Sequence, residues 1–353
     1  MRCVDVVRTF RSARHGRPEA PRSSRLLLVL LALLLASNSP RTESPTPVHL
    51  QRYCMGTMFD IVAYHASRPD AARAVERAME EIFRLDRVMS DYQVDSELSK
   101  LNRERPREFV RVEPSFFEVI QESMAFSRRS GGRFDVTIAP LLKTWRAAQA
   151  EGRRPSAGEV AAARRCVGYE KIELAEPDLL RFNSDCVQID LGGIGKGYAV
   201  DRAIAVLRAA GISQALVNAG ASSIASIGAP PDHQGWPVRL GAPVAGSRIL
   251  LLRDSSISTS QQKLVPLGFE AGEFGDIVDP QTGAPTRSRM TVSVIAPSGT
   301  TSDALSTTLV LMTIEEGSKV LAQFGDVSAL WISPAGDLQA GYRESQLRLS
   351  DSP

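Results

Sequence analysis

The chain is poor in the residues that build small metal and disulfide folds. Its 353 residues include four cysteines and four histidines, none closely grouped. That scarcity excludes a zinc ribbon, a zinc finger and a disulfide-dense scaffold. Surplus charge is nearly absent too, with 42 Lys and Arg against 40 Asp and Glu and a net charge of +2. A nucleic-acid binder carries a basic excess on its working domain, so that class is set aside and no nucleic-acid partner is expected. From about residue 46 onward there is no repeat, low-complexity block or obvious linker. What remains, 43% hydrophobic and 23% charged, is an ordinary globular composition.

The charge balance conceals an asymmetry at the N-terminus. Arg2, Arg8, Arg11, Arg14, Arg17, Arg22 and Arg25 face only Asp5 and Glu19, and an apolar run of 11 residues, Leu26 to Ala36, follows. A spanning helix needs about 20 apolar residues. A basic segment, a short apolar run and small residues afterwards read as an export signal, cleaved or kept as an anchor. The expected organisation is a basic region, signal and linker over 1–45, one domain over 46–345 and a tail over 346–353. Export makes a Cys166–Cys186 pair permissible. The positions of Cys54, Cys166 and Cys186 beside apparent strands favour simple buried thiols instead.

Periodicity predicts a strand over 58–64 and helices over 69–89 and 114–129, the second stopped by Gly131-Gly132. Further strands are expected at 171–174, 179–182, 186–191, 214–218, 222–227, 237–241, 248–252, 290–296 and 327–332. Helices at 195–210, 302–313 and 315–324 interrupt them. Short turns at 176–178 and 334–337 favour antiparallel hairpins. The fold class is α+β, mainly antiparallel sheets with packed helices, not a doubly wound parallel sheet.

Five segments carry candidate chemistry, each with a bland alternative. In 189–201, a strand ending in Asp190 runs through a glycine turn into a helix, where backbone can approach a ligand and helix-start amides suit a phosphate. Such turns are more often structural. Asp303 and Thr307, four apart on one helical face, offer hard oxygen ligands suited to Mg²⁺. An Asp near a helix start is usually a cap. Asp276–Gly283, Gly131–Thr137 and Met55-Gly56-Thr57 each read equally well as plain turns.

In order along the chain, however, these segments resemble one family. Met55-Gly56-Thr57, Ser90-Asp91-Tyr92 with Ser96–Asn102, Gly132–Thr137, Asp190–Gly197, Asp279–Gly283 and Asp303–Thr307 are similar to the motifs of FAD:protein FMN transferases of the ApbE type. The likeness runs from about residue 50 to 340. It implies a single catalytic domain of that type, T-fold-like, using FAD as substrate and Mg²⁺ as cofactor. The FMN half is moved onto a threonine of an acceptor protein, a membrane redox subunit, and AMP is released. It further implies Asp303, Thr307 and the Gly193 carbonyl as metal ligands, and Met55, Tyr92, Arg133, Phe134, Asp135, Asp190, Lys196 and Ile277 as FAD contacts. The location implied is the outer face of the cytoplasmic membrane or the periplasm, with membrane association through the N-terminus.

Three positions depart from the family pattern. Asp276 stands where a histidine is usual, Gln261 ends a Thr-Ser-Gly stretch, and Ala221 replaces the second glycine of a pair. Asp276 is expected to take over the histidine's task as base. The alternatives left open are a Mg²⁺-dependent FAD pyrophosphatase, a non-catalytic exported flavin-binding protein and an exported solute-binding protein.

Overall fold

The computed structural model describes residues 46–240, 248–262, 264–266 and 273–351. The basic region, the apolar run and the expected signal lie outside the described residues. Strands β1 (Val48–Cys54) and β2 (Thr57–Tyr64) lead into helices α1 (Arg68–Met89) and α2 (Glu97–Glu104). After β3 (Val110–Arg111) come α3 (Pro114–Arg129), α4 (Ala139–Ala150) and α5 (Ala157–Arg164). The hairpin β4 (Ile172–Ala175) and β5 (Leu179–Phe182) precedes α6 (Gly195–Ala209). Seven strands follow: β6 (Gln214–Ala219), β7 (Ser223–Ile227), β8 (Trp236–Arg239), β9 (Arg248–Leu252), β10 (Ser256–Gln261), β11 (Leu264–Pro266) and β12 (Glu273–Gly275). The chain closes with β13 (Thr291–Ala296), α7 (Gly299–Val310), α8 (Ile314–Leu321), β14 (Ser328–Ile332), β15 (Leu338–Tyr342) and β16 (Leu349–Asp351).

Eight strands form one antiparallel sheet in the order β1-β2-β6-β7-β10-β13-β14-β15. Alternation along β2 sorts its two faces: Phe59, Ile61 and Ala63 are buried with α1, α6 and α7 in the main core. Val62 and Tyr64 point the other way, onto a second core built with the β16-β9-β8 sheet around Trp236, Leu250 and Leu252. Both faces are therefore covered over the middle strands, which accounts for the wholly buried β7 and β14. The α+β class, with mainly antiparallel strands, is the architecture observed.

Helices α1 and α3 and the strands of the 171–182 hairpin fall within a residue or so of expectation. Two expectations fail. The 186–191 segment is extended but forms no strand, because a side chain stands in for its neighbour. Asn102 donates Nδ2 to the Ile189 carbonyl at 2.8 Å and accepts from the Ile189 amide at 2.7 Å, while Asp190 N binds Val136 O at 2.7 Å. The thiol reading also fails for two of the three cysteines: Cys166 and Cys186 are joined in a disulfide with Cα atoms 5.2 Å apart. Cys54 is a free, buried thiol whose pKa burial pushes up to about 12.

Candidate active site

Gly193, Lys196, Asp303 and Thr307 lie where the starts of α6 and α7 cross. Contact there is so close that only glycine fits: a Cβ on Gly197 would stand 2.2 Å from Gly299 O and 2.6 Å from Asp303 Cβ. The two helices also cap each other. Asp201 on α6 accepts from Gly299 N at 2.6 Å, Thr300 N at 2.8 Å and Thr300 Oγ1 at 2.6 Å. Asp303 on α7 accepts from Gly197 N at 2.8 Å, a donor that α6 leaves free because its own N-cap, Ile194, offers no side-chain acceptor.

Helix α7 begins at Gly299, capped by Ser298, which accepts from Thr301 N at 3.2 Å. Asp303 is thus the fifth residue of its own helix and not its cap, although it caps the start of α6 through Gly197 N. It is 2% exposed and has no ion pair within salt-bridge distance among the described residues. Burial pushes its carboxyl above the usual carboxylate range, opposed by the nearby Lys196 ammonium, the Gly197 amide and the Ser223 hydroxyl. A buried carboxylate without a bound countercharge is costly unless a cation supplies one.

Thr307, one turn on, is half-buried. Gly193 lies against it: a Cβ there would stand 3.2 Å from Thr307 Cγ2 and 3.4 Å from the Phe134 ring. The structure therefore sets a carboxylate and a hydroxyl one turn apart on α7, with Gly193 of the glycine turn packed against the threonine. No group of three or more His, Cys, Asp or Glu side chains suited to a metal occurs among the described residues. The donors here are mixed oxygens, a set that fits Mg²⁺ with water or phosphate completing its shell.

The helix-start amides expected to face a phosphate are largely engaged. Gly195 N binds Leu191 O at 2.7 Å, Tyr198 N binds Ile194 O at 3.0 Å, and Gly197 N belongs to Asp303. Asp190 accepts from Gly192 N at 2.8 Å, shaping the turn, and Lys196 Nζ lies 3.3 Å from Gly192 O.

Around this centre the proposed FAD contacts divide into two kinds. Met55 sits beside the turn, its Cε 3.7 Å from a Cβ built on Gly195. It is held there by a two-residue hairpin between Cys54 and Thr57, with φ of +48° at Met55 and +75° at Gly56. Phe134 is buried against Gly193, and Tyr92 is 80% exposed on the loop after α1. Its neighbour Asp91 is pushed up by burial and then by the Asp190 carboxylate, which places that loop near the turn.

Arg133 and Asp135 work within the protein. Asp135 accepts from Thr137 N at 2.8 Å, Thr137 Oγ1 at 2.6 Å and Tyr169 N at 2.9 Å. Arg133 Nη1 donates to Asp279 Oδ2 at 2.9 Å and to Leu311 O at 3.1 Å, tying its loop to the Asp279 turn and to the end of α7.

Asp276 follows β12 and is exposed, with no side-chain hydrogen bond among the described residues. Its segment docks on the end of β10 through Gln262, which sequence reasoning missed. Gln262 Oε1 accepts from Ile277 N at 2.8 Å, and its Nε2 donates to Ile277 O at 3.1 Å and Thr286 O at 3.0 Å. Also missed was a row of hydroxyls between β10 and α7, where Ser258 meets Ser302 at 2.8 Å and Ser260 meets Ser306 at 2.8 Å. Their only sequence signal is an i, i+2 pair of serines facing an i, i+4 pair.

Fold and site together define an α+β protein in which a buried aspartate, a threonine hydroxyl and a glycine turn lie at the crossing of two helix starts. The model of the ApbE family matches residues 55–331, and the chain belongs to that family. The FAD:protein FMN transferase of Vibrio cholerae is 29% identical over 332 residues, covering 90% of this chain and 95% of that one. The FAD:protein FMN transferase of Treponema pallidum is 27% identical over 303 residues, covering 79% and 83%. The solved flavin transferase ApbE from Vibrio cholerae matches with a TM-score of 0.71 at 26% identity, over 87% of this chain and 97% of that one.

Proposed function

We propose that this chain is a Mg²⁺-dependent FAD:protein FMN transferase, which breaks the FAD pyrophosphate, joins FMN to a threonine hydroxyl of an acceptor protein and releases AMP. The observation that carries this reading is the buried Asp303 one helical turn from the half-buried Thr307, with Gly193 against Thr307, in a chain of the ApbE family. Bound Mg²⁺ supplies positive charge that stabilises the pyrophosphate as its bond to AMP breaks.

This chain's residues do the rest. Asp303, Thr307 and the Gly193 carbonyl hold the cation, and Lys196 adds a second positive charge beside the turn. Met55, Phe134, Tyr92 and Ile277 contact FAD directly. Asp190, Arg133 and Asp135 serve it by shaping the glycine turn and the 131–137 loop. Asp276, open to solvent at the end of the clamped segment, takes the proton of the incoming threonine in place of a histidine.

The same reading places the protein outside the cytoplasmic membrane, supported by the seven arginines and the apolar run at its N-terminus. Its acceptor is then a membrane redox subunit. Incubating the protein with FAD, Mg²⁺ and an acceptor domain tests the activity. A covalently fluorescent acceptor with AMP in solution is the expected outcome. Free FMN with AMP instead makes the protein a pyrophosphatase, and unchanged FAD makes it a binder.

A further inference from the structure

The hydroxyl row between β10 and α7 has a direction that follows from counting protons. Ser306 Oγ lies 3.1 Å from the backbone carbonyl of Asp303, which only accepts, so the Ser306 proton is committed there. Ser260 Oγ lies 2.8 Å from Ser306 Oγ, so Ser260 donates to Ser306. Ser260 Oγ is also 3.3 Å from Thr307 Oγ1, and with its own proton spent it can only accept there. The chain of donation therefore runs from Thr307 to Ser260, to Ser306, to the Asp303 carbonyl. Its consequence falls on Thr307: the hydroxyl proton is drawn toward β10, which leaves the oxygen lone pairs to face away from Ser260.

We propose that Ser260 is a positioning residue for the cation site, accepting the Thr307 hydroxyl proton in a hydrogen bond so that the Thr307 oxygen presents its lone pairs to a divalent cation. The inference rests on the reading that Asp303, Thr307 and Gly193 hold such a cation. A cation-bound hydroxyl becomes a stronger donor, and an outer partner that accepts from a ligand fixes its orientation and raises its affinity. Without Ser260, the Thr307 hydroxyl is free to rotate and to donate into the site.

The test is Mn²⁺ binding to the full chain, followed by electron paramagnetic resonance, with thermal unfolding of the metal-free protein as a control. Ser260→Ala is expected to weaken Mn²⁺ binding by about tenfold, the lower end for an outer-shell partner. Ser260→Thr, which keeps the hydroxyl on a strand that tolerates branching, should restore it to within about twofold. Ser306→Ala should have a smaller effect, since Ser260 then keeps its acceptor role but loses its own anchor. Native affinity in Ser260→Ala overturns the inference alone and leaves the cation site standing. Equal weakening in Ser260→Ala and Ser260→Thr reduces Ser260 to a packing role and also overturns it. A native protein that binds no Mn²⁺ removes both the inference and the metal reading beneath it.

Discussion

The two halves of the candidate site are built in opposite ways. The half around Asp303 is buried, closed by a glycine-on-glycine helix crossing, and held by reciprocal caps from Asp201 and Asp303. Asp276 is exposed, and the segment after it is held by the Gln262 side chain, which grips both the amide and the carbonyl of Ile277, together with a backbone bond from Thr286 N to Ile277 O at 3.0 Å. The first half has little room for change, because Asp201 and Asp303 hold the helix starts and the glycines admit no side chain. The second can exchange its functional side chain without disturbing the packing, and the residue that departs from the family pattern, Asp276, lies there. The difference separates a tightly packed centre, proposed to hold the cation, from a more adaptable edge, proposed to meet the acceptor.

The largest effect should come from breaking the crossing. Gly197→Ala drives a Cβ into the Gly299 carbonyl, a backbone atom with no route of escape, and should cost about 3 kcal/mol in urea unfolding. Gly325→Ala, which meets nothing within 4 Å, should stay within about 0.5 kcal/mol of native. Similar losses in the two variants would break the claim that the crossing is tightly determined.

Releasing the exposed half should cost less and touch a different property. Gln262→Ala leaves the Ile277 amide without its partner, a loss of about 1–3 kcal/mol spent mostly on that segment. FMN transfer should fall about tenfold, the equivalent of about 1.4 kcal/mol, while Mn²⁺ affinity stays native. A parallel loss of Mn²⁺ binding would mean that the halves are not separate.

Glu122 tests the buried half through pH. Burial first, then the Glu118 and Asp201 carboxylates, push its pKa up to about 7 from 4.5. The folded protein therefore keeps a proton that the unfolded chain releases, and this group's contribution to stability declines as pH rises from about 4.5 to 7. Glu122→Gln should match the native protein in unfolding free energy at pH 4.5 and exceed it at pH 8, by about 1–2 kcal/mol after allowing for solvent screening. An equal offset at both pH values would contradict the assignment. The smallest effect concerns Ala221, which replaces a family glycine yet keeps φ at +59°. Ala221→Gly should relieve that conformation and stabilise the fold by about 1 kcal/mol in thermal melts; a destabilised variant would show that the turn is not strained.

Sequence reading reached the parts of this molecule that obey one periodicity. Helix α1 was legible because Val75, Ala78, Met79, Ile82 and Leu85 mark one face. Strand β1 was not, since His49, Gln51, Arg52 and Tyr53 give an edge strand, half-buried on one face only, little apolar signal. Helix α7 starts three residues before its expected position, because its first amides are held by Asp201, a residue about a hundred positions away. The strand pattern of 186–191 was correct as backbone shape and wrong as pairing, since Asn102 supplies the partner groups. Within the candidate site, motif spacing singled out Asp303 and Thr307, which lie one helical turn apart on α7. The serines of the adjoining hydroxyl row have no hydropathy signature, and Gln262 acts only through tertiary contact. The disulfide depended on two loops meeting in space, which spacing alone does not fix.

The central claim is that Asp303 belongs to a cation-binding centre distinct from the edge that carries Asp276. Asparagine at 303 keeps an oxygen to cap Gly197 and removes only the charge, so the fold should survive. Mn²⁺ affinity measured side by side on Asp303→Asn and Asp276→Asn tests the claim directly. The account predicts that Asp303→Asn loses binding by about a hundredfold, while Asp276→Asn binds as the native protein does. Native Mn²⁺ affinity in Asp303→Asn would contradict it.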